Sequence, residues 1–110
     1  MIRTVFVVAT LFAAGASVLA ASARPALDFS TEPDETGDVF AYSVEQRYAA
    51  PISIADVVAD LRAAGMTCTQ GASPSCSKSV AANDCTHTFV VTITGTPERA
   101  TVLGQTRVLC

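Results

Sequence analysis

CTHTFVVTITGTPERATVLGQTRVLC, residues Cys85 to Cys110, decides the fold. Two runs rich in β-branched residues flank a turn composition, Gly95 to Ala100, and a cysteine stands at each outer end. The register follows from hydrophobicity. If Thr94 faces Thr101, the pairs on one face are Ile93 with Val102, Val91 with Gly104, Phe89 with Thr106, His87 with Val108 and Cys85 with Cys110. The other face pairs Thr92 with Leu103, Val90 with Gln105, Thr88 with Arg107 and Thr86 with Leu109, a mixed and wetter set. A slip of one residue would send one strand's apolar side chains to solvent, so the pattern specifies this register strongly.

Upstream, Met66 to Thr69 is extended and carries Cys68, Gly71 to Ser75 has turn composition, and Cys76 to about Val80 returns as a strand. That hairpin brings Cys68 to Cys76, so the expected disulfides are Cys68–Cys76 and Cys85–Cys110. Cys68, Cys76, Cys85 and His87 would be an alternative zinc set, but a C-x7-C-x8-C-x-H spacing matches no common finger or ribbon. No metal or cofactor is expected.

Pro51 is followed by Ser53, an N-cap residue with Asp56 at the capping-box position. Ile54, Val57, Val58 and Leu61 form one helical stripe running to about Ala64, and Gly65 closes it. Asp56, Asp60 and Arg62 are left on the solvent side of that helix. Before it, Phe40, Tyr42, Val44 and Tyr48 alternate with polar residues, which predicts a strand over 38–48. The expected fold is therefore α+β: an antiparallel sheet of about four strands in β-α-β-β-β order, with one helix on one face, stabilised by disulfides.

The N-terminal residues 1–23 combine Arg3, an apolar run from Val5 to Leu19 and the small triplet Ala21-Ser22-Ala23, the layout of a secretory signal peptide. Residues 24–37, with Pro25, Pro33, Asp28, Glu32, Asp34 and Glu35, show no period of 2 or 3.6 and are expected to form a flexible acidic leader. The expected domain spans 38–110. Export places the protein in the periplasm or outside the cell, where an even set of four cysteines forms disulfides. No stable membrane span is expected once the signal is removed.

After residue 23 the chain carries six basic against ten acidic side chains, a net charge of −4. Nucleic acid is a poor partner for such a chain, because phosphate binding requires a basic face. His87, the one histidine, lacks a serine or cysteine partner fixed by sequence and reads as a strand-end residue beside a disulfide. The functional expectation is a non-enzymatic binding module, with inhibitors and envelope-associated proteins among the roles open to it. Its partner would be a protein or cell-envelope component, met by the open sheet face or by the loops carrying Ser73 and Pro74, and Pro97, Glu98 and Arg99. The competing expectation is a small hydrolase using His87 with Asp84 or another acid. The two differ in what surrounds His87: a hydrolase needs a cleft with a carboxylate in reach.

Overall fold

A computed structural model describes residues 24–31 and 37–110; the expected signal peptide lies outside the described residues. Two helices, α1 (Val39–Arg47) and α2 (Ile54–Ala63), precede four strands, β1 (Thr67–Cys68), β2 (Ser75–Ala82), β3 (Cys85–Thr96) and β4 (Arg99–Leu109). The strands form one antiparallel sheet in the order β1-β2-β3-β4. The α+β architecture is as expected, with two helices in place of one.

The predicted strand over 38–48 is the added helix. Phe40, Val44 and Tyr48 lie four residues apart, a spacing that satisfies both a period of 2 and one face of a helix. Tyr42 separates the alternatives. A strand would bury it with Phe40 and Val44, but it is 65% exposed while those two are fully buried. Asp38 starts α1 as its N-cap, its Oδ1 accepting from the Ala41 amide at 3.0 Å.

In β3 and β4 the register expected from the hydrophobic pattern is present from Thr86–Leu109 onward, Cys85 and Cys110 meeting through their disulfide just past the end of β4, and pairing continues through Thr96 and Arg99, leaving Pro97 and Glu98 as the turn. The β2–β3 connection is the two-residue turn Asn83-Asp84, with φ of 55° and 61°, the pair of positive values that a type I′ hairpin requires. Both expected disulfides form, and no described cysteine is free. Ile93 donates to the Pro74 carbonyl and Ala100 to the Ile52 carbonyl, which sets the hydrogen-bonding alternation across the sheet. On that alternation both cysteine pairs occupy non-hydrogen-bonded positions, where strands approach most closely, and their Cα atoms are 4.0 and 4.1 Å apart.

The core lies between the helices and one sheet face. Phe40 and Val44 from α1, Val57 and Leu61 from α2, and Cys76, Phe89, Val91 and Ile93 from the sheet are fully buried. The stripe predicted for α2 is therefore only half core: Ile54 and Val58 pack at its flank and stay half-buried.

The expected leader is corrected over its described part. Leu27 and Phe29 pack against the core, the Phe29 ring lying tilted 5.3 Å from Phe40 and edge-on 5.2 Å from Phe89. Lys78 Nζ sits 4.5 Å over the Phe29 ring. The Asp28 amide donates to Ser43 Oγ, and Arg47 Nη1 donates to the Pro25 carbonyl. One aromatic residue with a place in the core outweighs the acidic, proline-rich composition around it.

Asp60 also differs from its expected solvent role. Arg47 donates to both of its carboxylate oxygens at 2.7 Å, and the Tyr48 hydroxyl donates at 2.6 Å, tying α1 to α2.

The outer edge of β4 is partly covered. Ala100 N–H is taken by the Ile52 carbonyl, and Thr106 N–H by Asp38 Oδ2 at 2.6 Å. Between them α1 lies over Gly104, and only the outward backbone groups of Val102 and Gly104 separate the two covered positions.

Candidate functional site

Helix α2 begins where it does because Ser53 Oγ accepts from the Asp56 amide, and it ends where Gly65 takes φ of 91°. Ile54 N–H donates to the Pro97 carbonyl at 3.0 Å, so the tip of the β3–β4 hairpin is hydrogen-bonded to the helix's first turn. The loop between β1 and β2 is anchored on the other side. Thr69 N–H donates to the Ser75 carbonyl, Ser75 N–H to Thr69 Oγ1, and the Cys68–Cys76 disulfide closes the loop's base.

These anchors leave a groove of about 500 Å³ between the solvent flank of α2 and the two loops. Ile54, Ala55, Val58 and Ala59 form one wall, and the chain from Thr69 to Pro74 together with Pro97 forms the other. Small side chains at Ala55 and Ala59, one turn apart, keep the groove open. Arg62 is the one charged lining residue. It is exposed, and among the described residues it makes no ion pair.

Of the residues predicted as interaction points, the groove brings together Pro74 and Pro97, which are 23 positions apart in sequence. Pro74 is buried and lines the groove, while its carbonyl accepts from Ile93. Ser73 is exposed beside it, and Glu98 and Arg99 are exposed at the hairpin tip outside the lining. Ile54, Ala55, Val58, Ala59 and Arg62 were not among the predicted interaction residues. The available signal was the i, i+4 spacing of Ile54 with Val58 and of Ala55 with Ala59, which adds a second apolar flank to a helix already holding a core stripe.

The open sheet face is the other predicted surface. It carries Ser77, Val90 and Gln105 in one row and Ser79, Thr88 and Arg107 in the next, with Ser79 Oγ and Thr88 Oγ1 bonded at 3.1 Å. Leu103 and Leu109 on this face are 66% and 76% exposed. It is hydroxyl-rich, and at its β2–β3 end Ala81 and Thr86 border a shallow depression by the Asn83-Asp84 turn.

His87 lies on the core face, not at a surface. It is 8% exposed, and its Nε2 is enclosed without a hydrogen-bond partner. A second cavity, of about 440 Å³, adjoins it and is bordered by Asp38, Cys85, Thr106 and Val108. The Asp38 carboxylate there is committed, accepting from the Ala41 amide and from both the amide and the hydroxyl of Thr106. Burial alone would raise its pKa, but these hydrogen bonds hold it below its ordinary value. Asp84 is exposed in the β2–β3 turn. The imidazole thus lacks, on Nε2, the carboxylate that a general base would use.

Comparison with protein-family models, curated proteins and solved structures finds no match to this chain. Among the described residues no helix is long and apolar enough to cross a membrane, and no cluster of three or more metal-ligating side chains occurs.

Proposed function

We propose that the protein is an exported, disulfide-bonded binding module without enzymatic activity, and that it holds a protein or cell-envelope partner in the groove on α2. The observation that carries this reading is the convergence of two sequence-distant loops, each fixed by hydrogen bonds, on an apolar helix flank. A preformed apolar concavity with few polar groups is the usual form of a binding site, and its rigidity lowers the entropy cost of association. The two disulfides support an oxidising compartment, and residues 1–23 supply the export signal.

The test places a photo-crosslinking residue at Ala59 in the groove and, separately, at Thr88 on the open sheet face, in the organism's own exported protein. A partner captured from position 59, and lost when Ala55→Arg is added, supports the reading. Capture from position 88 alone moves the binding surface to the sheet. Sequencing the N-terminus of the exported protein checks removal of residues 1–23. Turnover of generic esters or peptides that His87→Ala abolishes would replace the binding reading with the hydrolase.

A further inference from the structure

We infer that the groove's occupant is an extended, apolar protein segment carrying an acidic side chain at the end that meets Arg62. This rests on the reading of the groove as the binding surface. From Ile54 to Arg62 the helix rises about 12 Å at ~1.5 Å per residue. At ~3.3 Å per extended residue, that length holds about four residues.

Charge orients the segment. Arg62 is the groove's one charged lining residue and has no carboxylate partner among the described residues. The opposite end is acidic on balance: Asp56 follows Ala55 in the first turn of α2, and at the hairpin tip, bonded to Ile54 through the Pro97 carbonyl, Glu98 is offset by its neighbour Arg99, which leaves a net charge of −1. A carboxylate is therefore attracted at one end and repelled at the other. Between the ends, Ala55, Val58, Ala59 and Pro74 offer apolar contact, and the loop wall adds the uncharged polar side chains of Thr69 and Gln70. Because Arg62 is exposed, its guanidinium stands at the rim. A glutamate or aspartate side chain reaches outward to such a rim position, whereas a terminal α-carboxylate would have to lie on the groove floor beside the backbone. The occupant's acid is accordingly a side chain.

The experiment is selection from a displayed library of random decapeptides on the oxidised protein, starting at Arg24. The selected peptides are then synthesised and titrated against wild type, Ala59→Arg, Ala55→Arg and Arg62→Glu. Ala55 and Ala59 are exposed helix positions, so circular dichroism and melting temperature should match wild type and show that the variants fold. The expected result is enrichment of about four apolar residues followed or preceded by Glu or Asp. Ala59→Arg should weaken binding more than roughly 30-fold, because it fills the groove. Arg62→Glu should weaken it roughly 3- to 10-fold at low salt and less at high salt, as a rim charge does. Equal binding by peptides with Gln for Glu, enrichment of basic or aromatic peptides, or no effect of Arg62→Glu would overturn the inference while leaving the groove reading intact. Unchanged binding by both alanine variants, or no selected peptide at all, would overturn both. Self-association abolished by Ala59→Arg would name a second copy as occupant and also overturn the inference.

Discussion

Gly104 of β4 lies directly beneath Val44 of α1: a Cβ built on Gly104 would come within 2.7 Å of Val44 Cγ2, 3.0 Å of its Cβ and 3.3 Å of the Ala41 Cα. The absence of one methyl group lets the helix sit on the sheet. Gly104→Ala should therefore push α1 outward and destabilise the fold by about 1–3 kcal/mol, the usual cost of overpacking a close contact. Val44→Ala removes Cγ2, the nearest clashing atom, while the contacts with its Cβ and with the Ala41 Cα stay, so the double variant should be less destabilised than the sum of the two. Urea denaturation of the four proteins in a double-mutant cycle checks this, and strict additivity would show that the two residues do not press on each other.

Asp38 serves a helix and a strand at once, capping α1 through Ala41 and holding Thr106 by its amide and hydroxyl. Removing an ordinary N-cap costs ~1 kcal/mol. Asp38→Ala also removes two hydrogen bonds to Thr106, at an exposed edge where water can replace them, so its cost should be somewhat larger, about 1–2 kcal/mol. Asp38→Asn keeps one acceptor and should fall between. Thermal melts of the two variants decide the order.

Acid should weaken the link between the helices. The hydrogen bonds from Arg47, supported by the Tyr48 hydroxyl, hold the Asp60 carboxyl below its ordinary value of 3.8 against the opposing effect of burial. A carboxylate with a depressed folded-state pKa stabilises fully above its unfolded value, and that contribution is lost as pH falls through the folded one. Stability should thus begin to drop just below pH 4. The pair is partly solvated, so Asp60→Asn should cost about 1 kcal/mol at neutral pH and flatten the acid limb. Urea midpoints measured from neutral pH to about 2 test both effects.

His87→Leu should leave stability unchanged or raise it, since replacing an unsatisfied buried polar group by an apolar one removes a desolvation cost. A loss of more than about 2 kcal/mol would show that the imidazole makes an interaction in solution beyond its enclosed Nε2.

Each disulfide closes a loop whose entropy the unfolded chain would otherwise recover. With cysteines 8 and 25 positions apart, loop closure is worth about 2.6 kcal/mol for Cys68–Cys76 and about 3.5 kcal/mol for Cys85–Cys110. Cys110 is exposed whereas Cys76 is fully buried, so mild reductant should open the 85–110 bridge first. Mass mapping of alkylated cysteines during reduction gives the order.

The hairpin and both bridges were legible because alternation along two adjacent strands leaves one register that buries the apolar set. Helix α1 was not, because residues 40, 44 and 48 fit either period and only the fate of Tyr42 distinguishes them. Phe29 was hidden by its acidic neighbours, since composition averages over the one side chain that packs. The groove was half visible. Pro74 and Pro97 stood out as turn residues, but nothing local in the sequence says that their loops meet on α2, a relation created by the β-sheet and by the hydrogen bond from Ile54 to Pro97.

The covered edge of β4 bears on how this protein survives at high concentration. A sheet grows into a fibre by adding chains along an open run of backbone groups, and such growth needs several consecutive free positions. Between the Ile52 and Asp38 contacts only Val102 and Gly104 present outward groups, with α1 lying beside them. At the sheet's other side β1 is two residues long, and beyond it β2 presents outward backbone groups only at Ser79 and Ala81. Two hydrogen bonds from outside the sheet thus shorten its long edge strand as a template, so copies of the chain have little backbone on which to stack.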